Sequence, residues 1–531
     1  MSSIVVSELA YAPPGADQLF FDVSFGVAPG EHAAIVGANG VGKSTILRIL
    51  SQVIEADDGE YTVNGNMLTM TQEVGMSNPN DTLREMLVEV APKHLRTAGR
   101  ALITAEKALA DGTDDGMGYA TALSDWGDLG GYELESDWQA AAQRSVKTPV
   151  DDFSRRLVSE LSGGERKRLV LDLLLTSGAD VLFLDEPDNY LDVPAKRWLE
   201  NELINTTKTV FFVSHDRELL NKVAQKIVTV ELGATGNTVW VHGGNFGTWH
   251  DARKARNERF AEMLLRWEQE HQRLIDLVKT LQVQAAISPD MANKYHAMQT
   301  RLRKFEEAGA PEAPPVEQDV KVGLRGGRTG LRALTFENVA IANLTEPFNF
   351  EVFFGDRIAV LGKNGTGKSH FFRMISGDST VKYTGNFKVG ARVEIGYFAQ
   401  THSHPEFEGK SLLEILWETY SLQLGPAKSV LRRYEIDKQA EQKFTSLSGG
   451  QQARFQILLL ELSGSTLLLL DEPTDNLDLA SAESLERALD HYEGTVLSVT
   501  HDRWFTRGFT RFLIFGANGQ VYESPEPVFD H

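Results

Sequence analysis

The feature that most constrains this chain is a phosphate-loop pattern, GxxxxGK[ST], that occurs twice: VGANGVGKST at 36–45 and LGKNGTGKSH at 361–370. Each copy follows a short apolar run, AAIV at 33–36 or IAVL at 358–361, of the kind that fills a buried parallel strand. Each then opens a helix-forming stretch, TILRILS or HFFRMIS. That strand–loop–helix setting is what the loop requires. Glycines let backbone N–H groups wrap a phosphate chain, and the helix N-terminus adds its positive end. On this chemistry Lys43 and Lys368 reach the β/γ-phosphates, and Ser44 and Ser369 ligate Mg2+.

The loops belong to a longer repeat. LSGGERKRLVL at 161–171 is echoed by LSGGQQARFQI at 447–457, VLFLDEPDNYLD at 181–192 by LLLLDEPTDNLD at 467–478, and VSHDR at 213–217 by VTHDR at 499–503. Echoes of this length mean two copies of one domain. Lys43 and Lys368 are 325 positions apart, whereas Ser162 and Ser448, Asp185 and Asp471, and His215 and His501 are each 286 apart. The first copy therefore carries 39 extra residues between its phosphate loop and its LSGG. Gln72 and Gln400 are 328 apart, so the excess lies after Gln72, in roughly 85–145, and reads as a small helical arm.

VLFLD and LLLLD are apolar strands that end in an acid. Asp185 and Asp471 thus stand at the carboxyl ends of strands, where ligands bind in open α/β sheets, and suit an outer-shell contact to Mg2+. Glu186 and Glu472 follow as natural general bases for an attacking water. A helix-capping role is the plainer reading, but the strand is apolar right up to these acids.

Between the copies, residues 251–284 are rich in helix formers, with Phe260, Leu264, Leu265, Trp267, Leu274, Leu277 and Leu281 at mostly three- and four-residue spacing. Such a helix is about 50 Å long, too long for the inside of a compact domain. Ser288-Pro289-Asp290 breaks it, a second helical stretch covers 291–308, and GAPEAPPVEQ at 309–318 is a Pro-rich connector. The reading is an antiparallel helical hairpin, 251–331, joining α/β domains at 1–250 and 332–531; a solvated linker helix lying along one domain is the simpler alternative.

The 531 residues contain no cysteine, which excludes disulfides, cysteine-ligated zinc and iron–sulfur clusters. The N-terminus lacks a basic segment followed by an apolar one, and the longest apolar runs fall far short of the ~18–20 residues of a membrane span. These features predict a cytoplasmic chain. A net charge of −21 argues against broad, non-specific binding to nucleic acid, so such a partner has to meet a local basic surface.

The order phosphate loop, Gln, LSGG[QE], apolar-DEP, [ST]HD resembles the nucleotide-binding domain of ATP-binding cassette (ABC) proteins, twice, over 1–250 and 332–531. The resemblance implies two P-loop ABC ATPase cassettes, α/β with a mixed sheet core and a helical subdomain each. It also implies head-to-tail pairing, with ATP held between one cassette's phosphate loop and the other's signature. Site one then joins Gly37, Asn39, Gly40, Gly42, Lys43, Ser44, Thr45, Gln72, Asp185, Glu186 and His215 to Ser448, Gly449, Gly450 and Gln451. Site two joins Gly362, Asn364, Gly365, Gly367, Lys368, Ser369, His370, Gln400, Asp471, Glu472 and His501 to Ser162, Gly163, Gly164 and Glu165. The resemblance further implies that Gln72 and Gln400 join the Mg2+ ligands and that the histidines contact the γ-phosphate. Tyr11 would stack on adenine in the first copy, whereas the matching position in the second falls near Ile341. His370 stands where the family has Thr, and Glu165 where Gln is commoner, so the sites are unequal.

Tandem cassettes, an arm in the first and a helical-hairpin linker are together similar to the ABC-F class. That resemblance implies a monomer with intramolecular cassette pairing that binds the ribosome, acting in translation or in antibiotic resistance by ribosome protection. Its linker would meet rRNA and tRNA through 251–310. Arg253, Lys254, Arg256 and Arg259 form one basic patch there and Lys294, Arg301, Arg303 and Lys304 another, although 251–310 holds 11 Lys and Arg against 9 Asp and Glu. Two departures stand out: the tip, AAISPDMAN at 285–293, is not basic, and DEPDNYLD and DEPTDNLD replace the class's DEPTNHLD. The alternative is the cytoplasmic ATP-hydrolysing motor of a drug exporter, such as one for macrolides, paired with a separate membrane protein.

Overall fold

The computed structural model describes residues 3–71, 80–113, 116–146, 153, 155–233, 236–288, 291–315, 320–399 and 404–529. The first cassette begins with β1 (Ser3–Tyr11), β2 (Phe20–Val27), β3 (His32–Gly37), α1 (Lys43–Leu50), β4 (Asp58–Asn64) and β5 (Met67–Met70). The arm follows as α2 (Leu83–Glu89), α3 (Lys93–Ala110), α4 (Met117–Asp128) and α5 (Gly131–Ser145). The cassette continues through α6 (Gly163–Thr176), β6 (Val181–Asp185), α7 (Val193–Asn205), β7 (Thr209–Val213), α8 (Arg217–Val223), β8 (Lys226–Glu231) and β9 (Thr238–His242).

Its core sheet has the order β5-β6-β7-β3-β8-β9, parallel except for the edge strand β9. β6 and β7 are buried along their whole length, as their unbroken apolar runs require. An antiparallel sheet, β2-β1-β4, packs alongside. Because β3, β6 and β7 are parallel neighbours, their carboxyl ends at Gly37, Asp185 and Val213 lie side by side. The phosphate loop, the DEP segment and the SHD segment therefore meet at one edge.

The linker is two helices, α9 (Phe246–Ile287) and α10 (Ala292–Glu307). The 42 residues of α9 make a rod about 63 Å long. It starts at Phe246, five residues before the expected boundary, because Phe246 and Trp249 are buried against the first cassette. Trp267 stacks on Phe305 at 5.3 Å, and His271 meets Glu306 at 2.9 Å, which ties the two helices together. The chain then returns onto the second cassette, where Val320 and Leu324 join the core.

The second cassette runs β10 (Arg332–Ile341), β11 (Phe348–Phe353), β12 (Arg357–Gly362), α11 (Lys368–Ile375), β13 (Tyr383–Val389), β14 (Ile395–Phe398), α12 (Leu412–Tyr420) and α13 (Leu424–Arg433). It ends with α14 (Gly449–Ser463), β15 (Leu467–Asp471), α15 (Leu479–Asp490), β16 (Thr495–Val499), β17 (Arg511–Phe515) and β18 (Val521–Ser524). Its core sheet, β14-β15-β16-β12-β17-β18, repeats the first strand for strand. Among the described residues, α12 and α13 are the only α-helices where the first cassette has α2 to α5; in its arm Trp126 of α4 and Trp138 of α5, each 1 % exposed, pack together at 6.2 Å.

Candidate functional site

Gly42 caps α1 at φ 103°, and Gly40 sits at φ 83° with open space where a side chain would be. These left-handed positions, which glycine adopts without strain, turn the loop tightly. Lys43 folds back across the loop and donates from Nζ to the carbonyls of Gly37 (2.9 Å) and Ala38 (2.8 Å). Lys368 does the same to Gly362 and Lys363, both at 2.8 Å. Burial lowers the pKa of each lysine, and the neighbouring carboxylates oppose that shift.

Ser44 Oγ donates to Asp185 Oδ1 at 3.2 Å, and Ser369 Oγ to Asp471 Oδ1 at 3.3 Å. A hydroxyl and a carboxylate converging beside a phosphate loop are hard oxygen donors of the kind Mg2+ takes. The residues present therefore fit the ion.

Glu186 and Glu472 have φ of 48° and 49°, a left-handed turn at each strand end; Glu186 Oε2 accepts from Asn189 Nδ2 at 2.6 Å, and Glu472 Oε2 from the His501 N–H at 3.0 Å. Burial pushes Glu186 up to about 7, helped by Asp185 and Asp188. Burial also pushes Glu472 up to about 8, helped by Asp475, and Asp471 to about 6. Asp185 is raised by burial as well. Carboxyls poised near neutrality suit proton transfer from water.

His501 lies 3.0 Å from Asn364 Oδ1 and 3.5 Å from Glu472. Both ring nitrogens of His215 are buried without a hydrogen-bond partner. Burial, then the adjacent Lys43, lowers His215 to about 3, so its ring is a neutral hydrogen-bonding group aimed into the site. An orphaned polar ring beside a glycine cradle fits a phosphate ligand.

The two cassettes face each other head to tail. Asn39 of the first phosphate loop donates its N–H to Asp478 Oδ2 at 3.0 Å and its Nδ2 to the Asn476 carbonyl at 2.9 Å. Gly450 of the second signature is so close that a Cβ there would lie 2.2 Å from Asn39 Nδ2. The reciprocal contact is looser: Asn364 Nδ2 reaches the Tyr190 carbonyl at 3.4 Å, and a Cβ on Gly164 would clear Asn364 by 3.9 Å. Ser162 caps α6 and Ser448 caps α14, each in a capping box closed by Glu165 or Gln451. Glu165 thus does the structural work of the commoner Gln.

Gly163 and Gly449 occupy the first positions of α6 and α14. Gly365 and Gly367 repeat the left-handed turns of Gly40 and Gly42. Thr45 is half-buried in α1, whereas His370 is exposed. Tyr11 ends β1, tilted against Phe20 at 6.1 Å, while Ile341, at the same place in β10, is 1 % exposed. Gln72 and Gln400 lie outside the described residues.

The profile of the family described as ABC transporter matches residues 20–189 and 345–475. The chain is 48 % identical, over 99 % of its length and all of the relative's, to an "Antibiotic resistance protein" of Mycobacteroides abscessus. It is 30 % identical to "ABC transporter F family member 5" of Arabidopsis thaliana, over 93 % of this chain and 72 % of that one. The chain belongs to the ABC-F family. An "Energy-dependent translational throttle protein" of Haemophilus influenzae is 28 % identical over 96 % of this chain and 91 % of its own. As an ABC-F protein it is an ATPase, with tandem ATP-binding cassettes. Among its described residues no helix is long and apolar enough to cross a membrane.

The sequence reading of this ABC-F chain missed a set of ion pairs across the interface. Arg217 forks onto Glu486, and Arg503 pairs with Glu200. Both pairs obey the same 286-residue offset as the quoted motifs, which is the signal that marks them.

Proposed function

We propose that this protein hydrolyses ATP at two composite sites and uses their closing and opening to set a helical rod on the ribosome, in translation regulation or antibiotic resistance. Glu186 and Glu472 take the proton of the attacking water, His215 and His501 contact the γ-phosphate, and Lys43 and Lys368 neutralise the phosphate chain. Ser44 with Asp185, and Ser369 with Asp471, hold Mg2+, joined by Gln72 and Gln400; the ion supplies positive charge to the phosphates when bound. Tyr11 stacks on adenine at the first site. Ser448 to Gln451 close site one and Ser162 to Glu165 close site two. The chain acts as a monomer in the cytoplasm.

The observation that carries the reading is the seat of the rod. Trp249 Nε1 donates to Thr229 Oγ1 at 2.8 Å, and Arg256 forks onto Glu231, both on the first cassette. The same first turns of α9 touch the second cassette, where His250 meets Glu483 at 3.3 Å and Phe246 meets Trp504 edge-on at 6.4 Å. A helix seated on both cassettes tilts when they separate.

Arg253 and Arg256 are committed to Glu231 and anchor the rod. Lys254, Arg259, Lys294, Arg301, Arg303 and Lys304 are exposed and supply the phosphate-facing charge for rRNA and tRNA. At the tip Val283 is 65 % exposed and Ile287 82 %, an apolar end suited to base faces rather than to phosphate. The relatives named for translation and antibiotic resistance support a ribosomal partner.

The test is sedimentation. A Glu186→Gln/Glu472→Gln double variant with ATP should co-migrate with ribosomes in a sucrose gradient. Finding it only at the top of the gradient would favour the exporter-motor alternative.

A further inference from the structure

The two departures in the DEP segments place one extra acid in each cassette, Asp188 in the first and Asp475 in the second. Both act on each other where the cassettes meet, together with Asp216, which caps α8, and Asp502, the matching residue after His501. Asp188 is 4 % exposed, and its Oδ1 is buried with no hydrogen-bond partner. Like charges brought together in a poorly solvated interface repel strongly.

Lys196, on the second turn of α7, enters this cluster. Its Nζ lies 3.1 Å from Asp216 Oδ2, and its side chain is 11 % exposed. The fields of Asp188 and Asp216 from its own cassette, and of Asp475 and Asp502 from the other, all act on it and outweigh the cost of its burial, so its pKa is raised. The matching residue in the second cassette is Ala482, which is buried. Only the first cassette therefore has a lysine at this place, while Arg503 at 3.8 Å from Asp216 and Arg217 at 3.3 Å from Asp502 flank the cluster.

We propose that Lys196 is a positioning residue for closure: an ammonium present in one cassette only, which lets the acidic loops holding Asp188 and Asp475 come together over the two ATP sites. The DEPDNYLD and DEPTDNLD departures are then a matched set with Lys196. Asp188 places a charge beside it in the same cassette, and Asp475 meets it only when the cassettes close.

The inference rests on the paired-cassette reading, which the Glu186→Gln/Glu472→Gln chain with Lys196 intact tests separately. The experiment uses that full-length background with one label on each cassette and reads closure against ATP concentration. Lys196→Met should raise the ATP concentration for half-closure by about tenfold or more, the scale of one uncompensated buried charge. Adding Asp475→Asn should bring it back to within about threefold, whereas Lys196→Arg should stay near the parent. Normal closure of Lys196→Met, or failure of Asp475→Asn to rescue it, would overturn the proposal. Should Lys196→Met not fold, Asp475→Lys carries the test: it leaves the first cassette untouched and should block closure, and normal closure would overturn the proposal.

Discussion

Arg217 of the first cassette and Glu486 of the second form a forked ion pair across the interface, with Arg217 Nη1 donating to Glu486 Oε2 at 2.9 Å. Arg217 is 3 % exposed, also reaches Asp502 at 3.3 Å, and lies over the Trp504 ring at 5.4 Å. Its mate Arg503 pairs with Glu200 and reaches Asp216 at 3.8 Å. Each cassette's SHDR or THDR segment thus carries a histidine for its own site and an arginine for its neighbour.

Arg217→Ala should weaken cassette closure by about 2–3 kcal/mol, because it strands a largely desolvated carboxylate. A charge swap, Arg217→Glu with Glu486→Arg, should recover part of that loss. The check is a double-mutant cycle read by ATP-dependent closure. Additive single effects would show that the pair contributes nothing.

Gly450→Ala should damage ATP turnover far more than Gly164→Ala. A methyl at 450 would run into Asn39 Nδ2 at 2.2 Å and the Asn476 carbonyl at 2.9 Å. At 164 the nearest atom is the Tyr190 carbonyl at 3.1 Å. Steady-state ATPase rates of the two variants decide it, with Gly450→Ala expected to lose at least about tenfold, the cost of one hard clash. Equal losses would show that site one is no tighter than site two.

Closure should strengthen as pH falls from 7.5 to 5.5. Burial pushes Asp475 up to about 6 in the closed pair, Asp188, Asp502 and Asp471 add to the shift, and Lys196 opposes it. In separated cassettes the group returns toward its ordinary value near 3.8. Its charge therefore costs closure free energy above pH 6, and that cost is relieved as it protonates on the way down. Asp475→Asn should flatten the dependence; an unchanged slope in that variant would assign it to another group.

Removing the rod's contacts with the second cassette should separate ATP turnover from action on the ribosome. His250→Ala with Phe246→Leu leaves the Trp249–Thr229 and Arg256–Glu231 anchors in place. The double variant should keep ATPase activity within about twofold of the parent: His250 shares a cavity with Gly37 and Ala38 of the first phosphate loop, but its ion pair is to Glu483. It should lose ATP-dependent ribosome co-sedimentation. Retained co-sedimentation would place the coupling elsewhere.

Local pattern carried much of this structure into the sequence. Apolar runs ending in Asp185 and Asp471 became fully buried strands, and the glycine spacing of both loops became left-handed turns at Gly40, Gly42, Gly365 and Gly367. The start of α9 was less legible, because GGNFGTWH reads as turn-like until Phe246 and Trp249 find a cassette to bury against. The interface ion pairs were hidden for a related reason. Arg217, Glu200 and Lys196 look like ordinary charges on helix faces, and only the approach of the second cassette removes their water. The meaning of Asp188 and Asp475 likewise depends on a lysine from another element.

The central claim is that ATP closes the two cassettes onto each other. The chain has no cysteine, so spin labels placed through Val53→Cys on the first cassette and Tyr383→Cys on the second, at positions 53 % and 44 % exposed, report it without background. In the Glu186→Gln/Glu472→Gln chain, ATP should collapse a broad distance distribution into one short, narrow distance. A distribution that is the same with and without ATP would contradict the account.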